Sequence, residues 1–460
     1  MTPQLRLTDA AVRFGGTLLN PDCHFDSVAI DSRAVKEGDL FVALMGDRFD
    51  AHQFLPDAAK KASGLVVSRA DKSLPLPQWV VPDTTQALGQ LARLRREMFE
   101  GSVIAITGST GKTSVKELTA AILRQKGSVH ATAGNLNNHI GVPLTLLSLD
   151  SIVETAVIEM GASAAGEIDY LCSIAMPDIA LINNVQSSHI EGFGSVEGVA
   201  AAKGEIYSGL KPAGIAVLNL DQPWCDQWRD LIDGKPCLTF SLDDEAADIF
   251  ATDIETMANG CCSFMLCVKL MADQPALKQQ VQLSMPGLHG VSNALAASAC
   301  ALAAGADLRQ IAAGLLSVAP IAGRLESKIL ASGATVIDDT YNASPSSFQA
   351  AIDVLAANPG RKILVMGDMA ELGEDAVQLH RDVGDYAHQV ALDGLYAVGD
   401  LSVGACEAFG GVHFDNKELL IEALRQEIAA AAPSVSLLVK GSRSAGMEQV
   451  VEMLMTREDI

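Results

Sequence analysis

One loop and three separate side chains in this sequence are of types that handle phosphate and divalent metal. The loop is Thr107-Gly108-Ser109-Thr110-Gly111-Lys112-Thr113, and the side chains are Glu159, His189 and Lys203. Backbone without Cβ atoms at Gly108 and Gly111 can wrap closely around an anion and aim its N–H groups inward. Lys112 then reaches the β/γ-phosphates as a point charge, and the Thr113 hydroxyl suits a phosphate-bound Mg²⁺. Glu159 offers a hard carboxylate for Mg²⁺, and a neutral His189 suits a second ion, although a lone histidine after a strand also reads as an ordinary loop or core residue. Lys203 reads either as a solvated helix lysine or as a buried one. Burial pulls a lysine pKa down by up to ~3–5 units, freeing a neutral amine.

The elements around these residues are those that would position them. Val103, Ile104 and Ile106 suit a buried strand, and Val115, Leu118, Ile122 and Leu123 recur at helical spacing, with Gly127 as the expected stop. The helix start adds its dipole to the phosphate loop. Apolar runs at 129–132, 155–159, 179–185 and 215–220 read as further strands. Ligands of open α/β sheets bind at the carboxyl ends of strands, and Glu159, Asn184 and His189 fall at or just beyond such ends. Lys203 lies in a helical stretch over 197–210.

Bulk properties exclude several classes of function. The net charge of −23 argues against a general nucleic-acid or anionic-membrane binder, which needs clustered Lys and Arg to displace counterions. The nine cysteines lack zinc-ligand spacing and an obvious disulfide framework, so they read as reduced thiols of a cytoplasmic protein. No stretch suits a signal peptide or a bilayer span. At 460 residues the chain has the length of about three domains.

The expected architecture is α/β: a small N-terminal α/β domain over 1–82, a central P-loop ATPase-type parallel sheet domain over 83–315, and a C-terminal Rossmann-like domain over 316–460 without a glycine fingerprint. Leu74-Pro75-Leu76-Pro77 reads as the way out of the first domain. In that domain Asp31-Ser32-Arg33 and the stretch 41–52 place polar residues directly after apolar strands, as a ligand site or as solvated loop. Asn135, Asn137 and Asn138 cluster beside glycines, suiting either a polar substrate or a turn. The region after Asp221 reads as surface excursions. Arg324 and the run Asp338-Asp339-Thr340-Tyr341-Asn342 fall near the boundary with the third domain, a natural nucleotide cleft. Lys440-Gly441-Ser442-Arg443-Ser444 reads as a possible substrate loop.

A standard Walker A loop would carry Gly or Ala at Ile106, so the loop here is the shorter T-G-S-T-G-K-T-S. That loop, with GNLNNHIGVPLTLL, EMGAS, SSHIEGFGS, AAKGEIY, LHGVSNALAA, GRLE, DDTYNASPSS, VMGDMAELGE and KGSRSAGME in this order, resembles the Mur ligase family of cytoplasmic peptidoglycan synthesis along nearly the whole chain. The resemblance implies a monomeric ATP-dependent ligase whose first domain holds the UDP end of UDP-N-acetylmuramoyl-tripeptide, whose second holds ATP, and whose third binds D-Ala-D-Ala and closes over both. It implies phosphate contacts from Thr107, Gly108, Ser109, Thr110, Gly111, Lys112 and Thr113. It places Thr113 and Glu159 on one Mg²⁺, His189 and a CO₂-derived carbamate of Lys203 on another, and gives Lys112, His189 and Lys203 catalytic roles. Asn293 is expected near the adenine, Arg324 near the phosphates and Asp339 near the ribose. Ser32, Arg33, Gly46, Asn135 and Asn138 are expected to contact the UDP substrate. The competing readings are a sister ligase adding another amino acid and a non-enzymatic ATP-driven switch.

Overall fold

A computed structural model describes residues 4–46, 49–186, 190–257, 260–269 and 274–456. Three sheets organise it. The first has the strand order Thr17–Leu19, Gln78–Val80, Gly64–Val67, Leu40–Val42, Val28–Ala29. All its pairs are parallel except the first. Leu40–Val42 and Gly64–Val67 are buried along their whole length, as strands covered on both faces must be. The Pro75 and Pro77 run connects two strands of this sheet and so lies inside the first unit; the expected exit comes later, after Gln78–Val80.

The next element is the helix Thr84–Met98, capped by Asp83, whose carboxylate accepts from Thr85 N and Gln86 N. The phosphate-loop strand Ser102–Thr107 then enters a nine-stranded sheet, flanked on its two sides by the parallel strands Thr155–Glu159 and Ile179–Ile182. This central placement gathers the carboxyl ends of three neighbouring strands at one point. The helix Lys112–Arg124 follows the loop and buries Val115, Leu118, Ile122 and Leu123 on one face.

The region after Asp221 departs from its expectation as surface excursions. Cys237–Ser241 and Ile249–Thr256 extend the sheet in parallel, and Cys261–Val268 and Leu277–Pro286 complete it as an antiparallel meander. The central sheet is therefore mixed, not purely parallel. Phe240, Ile249, Phe264, Leu266 and Val281 share a core with the phosphate-loop helix and with Leu288–Ala303. Trp228, from the Trp/Cys/Asp-rich stretch, is fully buried and donates to Ala200 O. Alternation of apolar and polar residues buries one face of these strands, and the polar half of each obscured them.

The third sheet has the order Glu326–Ile329, Thr335–Asp339, Val435–Lys440, Arg361–Gly367, Gly394–Val398, Val412–Phe414. It is parallel beyond its first pair, with helices on both faces. Among the described residues no helix is long and apolar enough to cross a membrane.

Candidate active site

The phosphate loop owes its shape to two glycines and a ring of amides. Gly111 has φ +75°, and a Cβ there would stand 2.5 Å from Asn183 Nδ2 and 2.6 Å from Asn293 Oδ1, so only glycine fits. Asn183 Nδ2 donates to Thr110 O at 3.1 Å and to Asn293 Oδ1 at 2.9 Å. Asn184 Oδ1 accepts from Thr110 N at 2.9 Å, and Ser109 N donates to Asn184 O at 2.9 Å. The loop is thus held rigid from the end of the neighbouring strand. Asn293, expected near adenine, is buried against the loop through these contacts.

Lys112 Nζ donates to Gly108 O at 2.7 Å and Ser109 O at 3.2 Å. Burial pulls its ammonium below the ordinary lysine range; the Glu159 charge opposes that shift and the Arg324 charge adds to it. Glu159 is buried at the end of its strand, and its Oε1 accepts from Asn137 Nδ2 at 2.8 Å. Its Oε2 is buried with no hydrogen-bond partner among the described residues. A buried carboxylate oxygen left without a donor calls for a cation. Among the described residues no group of three His, Cys, Asp or Glu side chains gathers. The donors at hand are therefore the Glu159 carboxylate and the Thr113 hydroxyl. That sparse oxygen set fits Mg²⁺, which keeps several waters and takes substrate phosphate oxygens.

Lys203 sits in the helix Val196–Ser208, 1% exposed and near enough to Lys112 to feel its charge. Burial, and secondarily the charge of Lys112, holds its ammonium well below the usual lysine range. His189 lies outside the described residues.

Across the cleft, Arg324 Nη2 donates to Thr113 Oγ1 at 2.9 Å, and its guanidinium stacks 4.2 Å from the centre of the Tyr341 ring. Asp339 Oδ2 accepts from the buried Lys440 Nζ at 2.6 Å, while its Oδ1 accepts from Leu325 N at 3.2 Å. His289 also faces this cleft, with its pKa lowered by burial. These walls enclose about 1760 Å³. A pocket for one drug-sized ligand measures roughly 300–1,000 Å³, so the cleft has room for more than a nucleotide.

Of the residues expected from sequence, Ser109 to Thr113, Asn135, Asn138, Glu159, Asn293, Arg324 and Asp339 line this one cleft. Thr107 and Gly108 are not among the lining residues; Thr107 is fully buried, with its Oγ1 donating to Met160 O at 2.8 Å. Asn138 has a structural duty as well: its Oδ1 accepts from Ile140 N and Gly141 N at the start of the helix Gly141–Leu147. Ser32, Arg33 and Gly46 are not brought to the cleft. Arg33 is exposed and pairs with Asp31 at 2.7 Å, and Gly46 lies in a two-stranded hairpin with Phe49–Asp50. Asn137, Tyr341 and Lys440, named in the sequence only within their runs, also line the cleft, and so do Gln186 and His289, to which the sequence assigns no role; Asn183, also without one, braces the loop. Their position directly after apolar strands, or at the start of a helix, is the one sequence signal they carry.

Comparison with known proteins agrees with this geometry. Residues 106–301 match the Mur ligase middle domain, and residues 323–443 match the family described as Mur ligase, glutamate ligase domain. The UDP-N-acetylmuramoyl-tripeptide–D-alanyl-D-alanine ligase of Escherichia coli K12 is 43% identical, over 98% of this chain and 97% of its own. A crystal structure of MurF from Acinetobacter baumannii superposes with TM-score 0.92 at 36% identity, covering 99% of this chain and all of that one. The ADP complex of MurF from Thermotoga maritima gives TM-score 0.81 at 32% identity, covering 93% and 97%. With this site, this fold and these full-length relatives, the chain belongs to the Mur ligase family.

Proposed function

We propose that this chain joins D-Ala-D-Ala to UDP-N-acetylmuramoyl-tripeptide with cleavage of ATP, giving UDP-N-acetylmuramoyl-pentapeptide, ADP and phosphate in cytoplasmic peptidoglycan synthesis. The observation that carries this reading is one cleft in which the phosphate loop, a buried carboxylate with an unpartnered oxygen and an arginine from the next domain converge. The nearly full-length similarity to ligases of that name supports the choice of substrates.

A carboxylate and an amine do not condense in water, so the terminal carboxylate of the tripeptide first attacks the γ-phosphorus and ADP departs. Two anions must meet in that step. Lys112 and Arg324 supply positive charge around the γ-phosphate, and the N–H groups of Gly111, Lys112 and Thr113, on a loop held by the bonds of Ser109 N and Thr110 N to Asn184, hold the β-phosphate in line. Mg²⁺ held by Thr113 and Glu159 supplies further charge neutralisation when bound. A second Mg²⁺ would be held by His189 and by Lys203 as its carbamate; burial shifts the Lys203 amine toward the neutral form, the one that combines with CO₂. The dipeptide amine then attacks the acyl phosphate, and the tetrahedral intermediate expels phosphate. That amine must be neutral. With an α-amino pKa of ~7.7–8.0, roughly a tenth is neutral at pH 7, a cost of about 1.4 kcal/mol, so no strong dedicated base is required. Ser32, Arg33 and Gly46 of the first domain, with Asn135 and Asn138 at the cleft, are assigned to the UDP substrate, and the chain acts as a monomer.

The test is phosphate release from ATP with Mg²⁺, UDP-N-acetylmuramoyl-tripeptide and D-Ala-D-Ala, omitting each in turn and weighing the product. Release that needs both substrates and yields the UDP-pentapeptide is expected. Release indifferent to both would overturn the reading and favour an ATP-driven switch.

A further inference from the structure

Among the described residues, two hydrogen bonds tie the phosphate loop and its neighbour Gln186 to the C-terminal domain. One, Arg324 to Thr113, is part of the phosphate site itself. The other runs through Gln186, which leaves the strand Ile179–Ile182 beside the loop. Its backbone is fixed on both sides. Gln186 N donates to Ser109 Oγ at 3.0 Å, and that hydroxyl donates back to Gln186 O at 3.2 Å. One residue earlier, Val185 N donates to Gln222 Oε1 at 2.8 Å. The side-chain oxygen of Gln186 then accepts two hydroxyls: Thr110 Oγ1 at 3.1 Å from the loop, and Ser346 Oγ at 2.5 Å from the first turn of the helix Pro345–Ala356. An amide oxygen has two lone pairs, so both are filled.

The Thr110 hydroxyl has one proton and two acceptors, Gln186 Oε1 and Asn184 Oδ1, the latter at 3.2 Å. Its orientation therefore depends on how Gln186 is held, and Ser346 of the other domain holds it. We propose that Gln186 is a positioning residue for phosphoryl transfer, coupling the seating of the C-terminal domain, through Ser346, to the geometry of the phosphate loop at Thr110. This rests on the ligase reading for its assay but not for its geometry. The amide is neutral and its oxygen is taken up by the two hydroxyls, so its loss disturbs alignment and leaves the charge at the site unchanged.

The test is a double-mutant cycle in the full chain: Gln186→Ala, Ser346→Ala and both together, with Ser346→Thr as the conservative variant. Thermal melting checks folding, and Ser346→Ala, a half-buried hydroxyl deletion, carries the test if Gln186→Ala is poorly folded. Each single variant is expected to lower kcat about tenfold, the scale of one or two neutral hydrogen bonds, with KM for the UDP substrate little changed. The double variant is expected to fall no further than the worse single, and Ser346→Thr to keep most of the rate. Single variants at wild-type kcat, or losses that multiply in the double, would overturn the proposal. If the wild-type chain forms no UDP-pentapeptide, the ligase reading fails by itself. The same proteins are then titrated with ADP by calorimetry, where a non-additive loss of affinity supports the coupling and an additive or absent one overturns it.

Discussion

Arg324 is the cation that the C-terminal domain presents to the phosphate loop, and its two contacts allow its contribution to be worked out. The guanidinium donates to Thr113 Oγ1 at 2.9 Å and lies 4.2 Å from the Tyr341 ring centre. A hydrogen bond from a charged donor contributes about 1.5–3 kcal/mol, and a cation over an aromatic face about 0.5–2 kcal/mol. Lysine keeps the charge but, lacking the planar fork, can hold one of these contacts and not both. Arg324→Lys is therefore expected to lose about 1.5–3 kcal/mol of transition-state stabilisation, or about 10- to 150-fold in kcat/KM for ATP. Arg324→Ala removes the charge as well and is expected to lose about 10³-fold or more, the range for arginines that stabilise phosphoryl transfer. Tyr341→Ala removes the stack alone and is expected to cost about 2- to 30-fold, while Tyr341→Phe keeps the ring face and most of the rate. The assay is product formation under saturating UDP substrate and dipeptide. An Arg324→Lys variant at wild-type rate, or one as slow as Arg324→Ala, would refute the reasoning: the first would make planarity irrelevant, the second would make charge irrelevant.

Glu159→Gln keeps the shape and the Asn137 contact but removes the charge. It is expected to lower kcat at least about 100-fold, on the scale of losing one electrostatic stabiliser, and to raise the Mg²⁺ concentration needed for half-maximal rate; an unchanged Mg²⁺ titration would exclude Glu159 as a ligand. Lys203 is held below its ordinary range when folded, so the unfolded chain binds the extra proton between that depressed value and ~10.4. Stability in CO₂-free buffer should accordingly rise with pH through that window, and Lys203→Met should flatten the rise in denaturant midpoint; equal slopes for the two proteins would show that the amine is not buried neutral. The same variant should lack activity, and short carboxylic acids added to Lys203→Ala should restore part of it. Small-angle scattering with an ATP analogue and the UDP substrate should show a more compact particle than the chain alone, and superimposable profiles would count against closure of the C-terminal domain.

The phosphate loop was legible because each of its parts has a local cause: an apolar run for the strand, glycines where a side chain collides, and helical spacing after Lys112. The amide ring around it was not. Asn135, Asn137 and Asn138 are equivalent in sequence, and only the turn's geometry sends Asn137 to Glu159 while Asn138 caps a helix. Asp339 and Lys440 are neighbours because their parallel strands run in register. Nothing within 101 residues of chain announces that pair. The strands of 237–286 hid for a different reason: Asp253, Glu255, Thr256, Lys278, Gln280 and Gln282 face solvent, so the run looks polar until alternate residues are assigned to a core. Ser32, Arg33 and Gly46 lie away from the cleft, so their assignment rests on the family resemblance alone.

How the apolar cores are divided indicates which parts move together. Val42, Val66 and Trp79 of the first sheet share one core with Leu88, Leu91, Val103 and Ile158, so the first sheet and one face of the central sheet are packed as a unit. The opposite face of the central sheet has a second core, closed by the strands of 237–286. The C-terminal sheet keeps two cores of its own, around Phe348 and Leu364 and around Leu420 and Val439. Among the described residues none of these cores mixes side chains from before and after Pro320. Arg324 to Thr113 and Ser346 to Gln186, which do cross that boundary, are hydrogen bonds that water can replace. An interface held by such bonds can open at little cost, as relative domain motion requires. It can also close with directional precision, as in-line phosphoryl transfer requires. The apolar cores thus fix what must stay rigid through a turnover, and the polar ties fall where substrates must enter and product must leave.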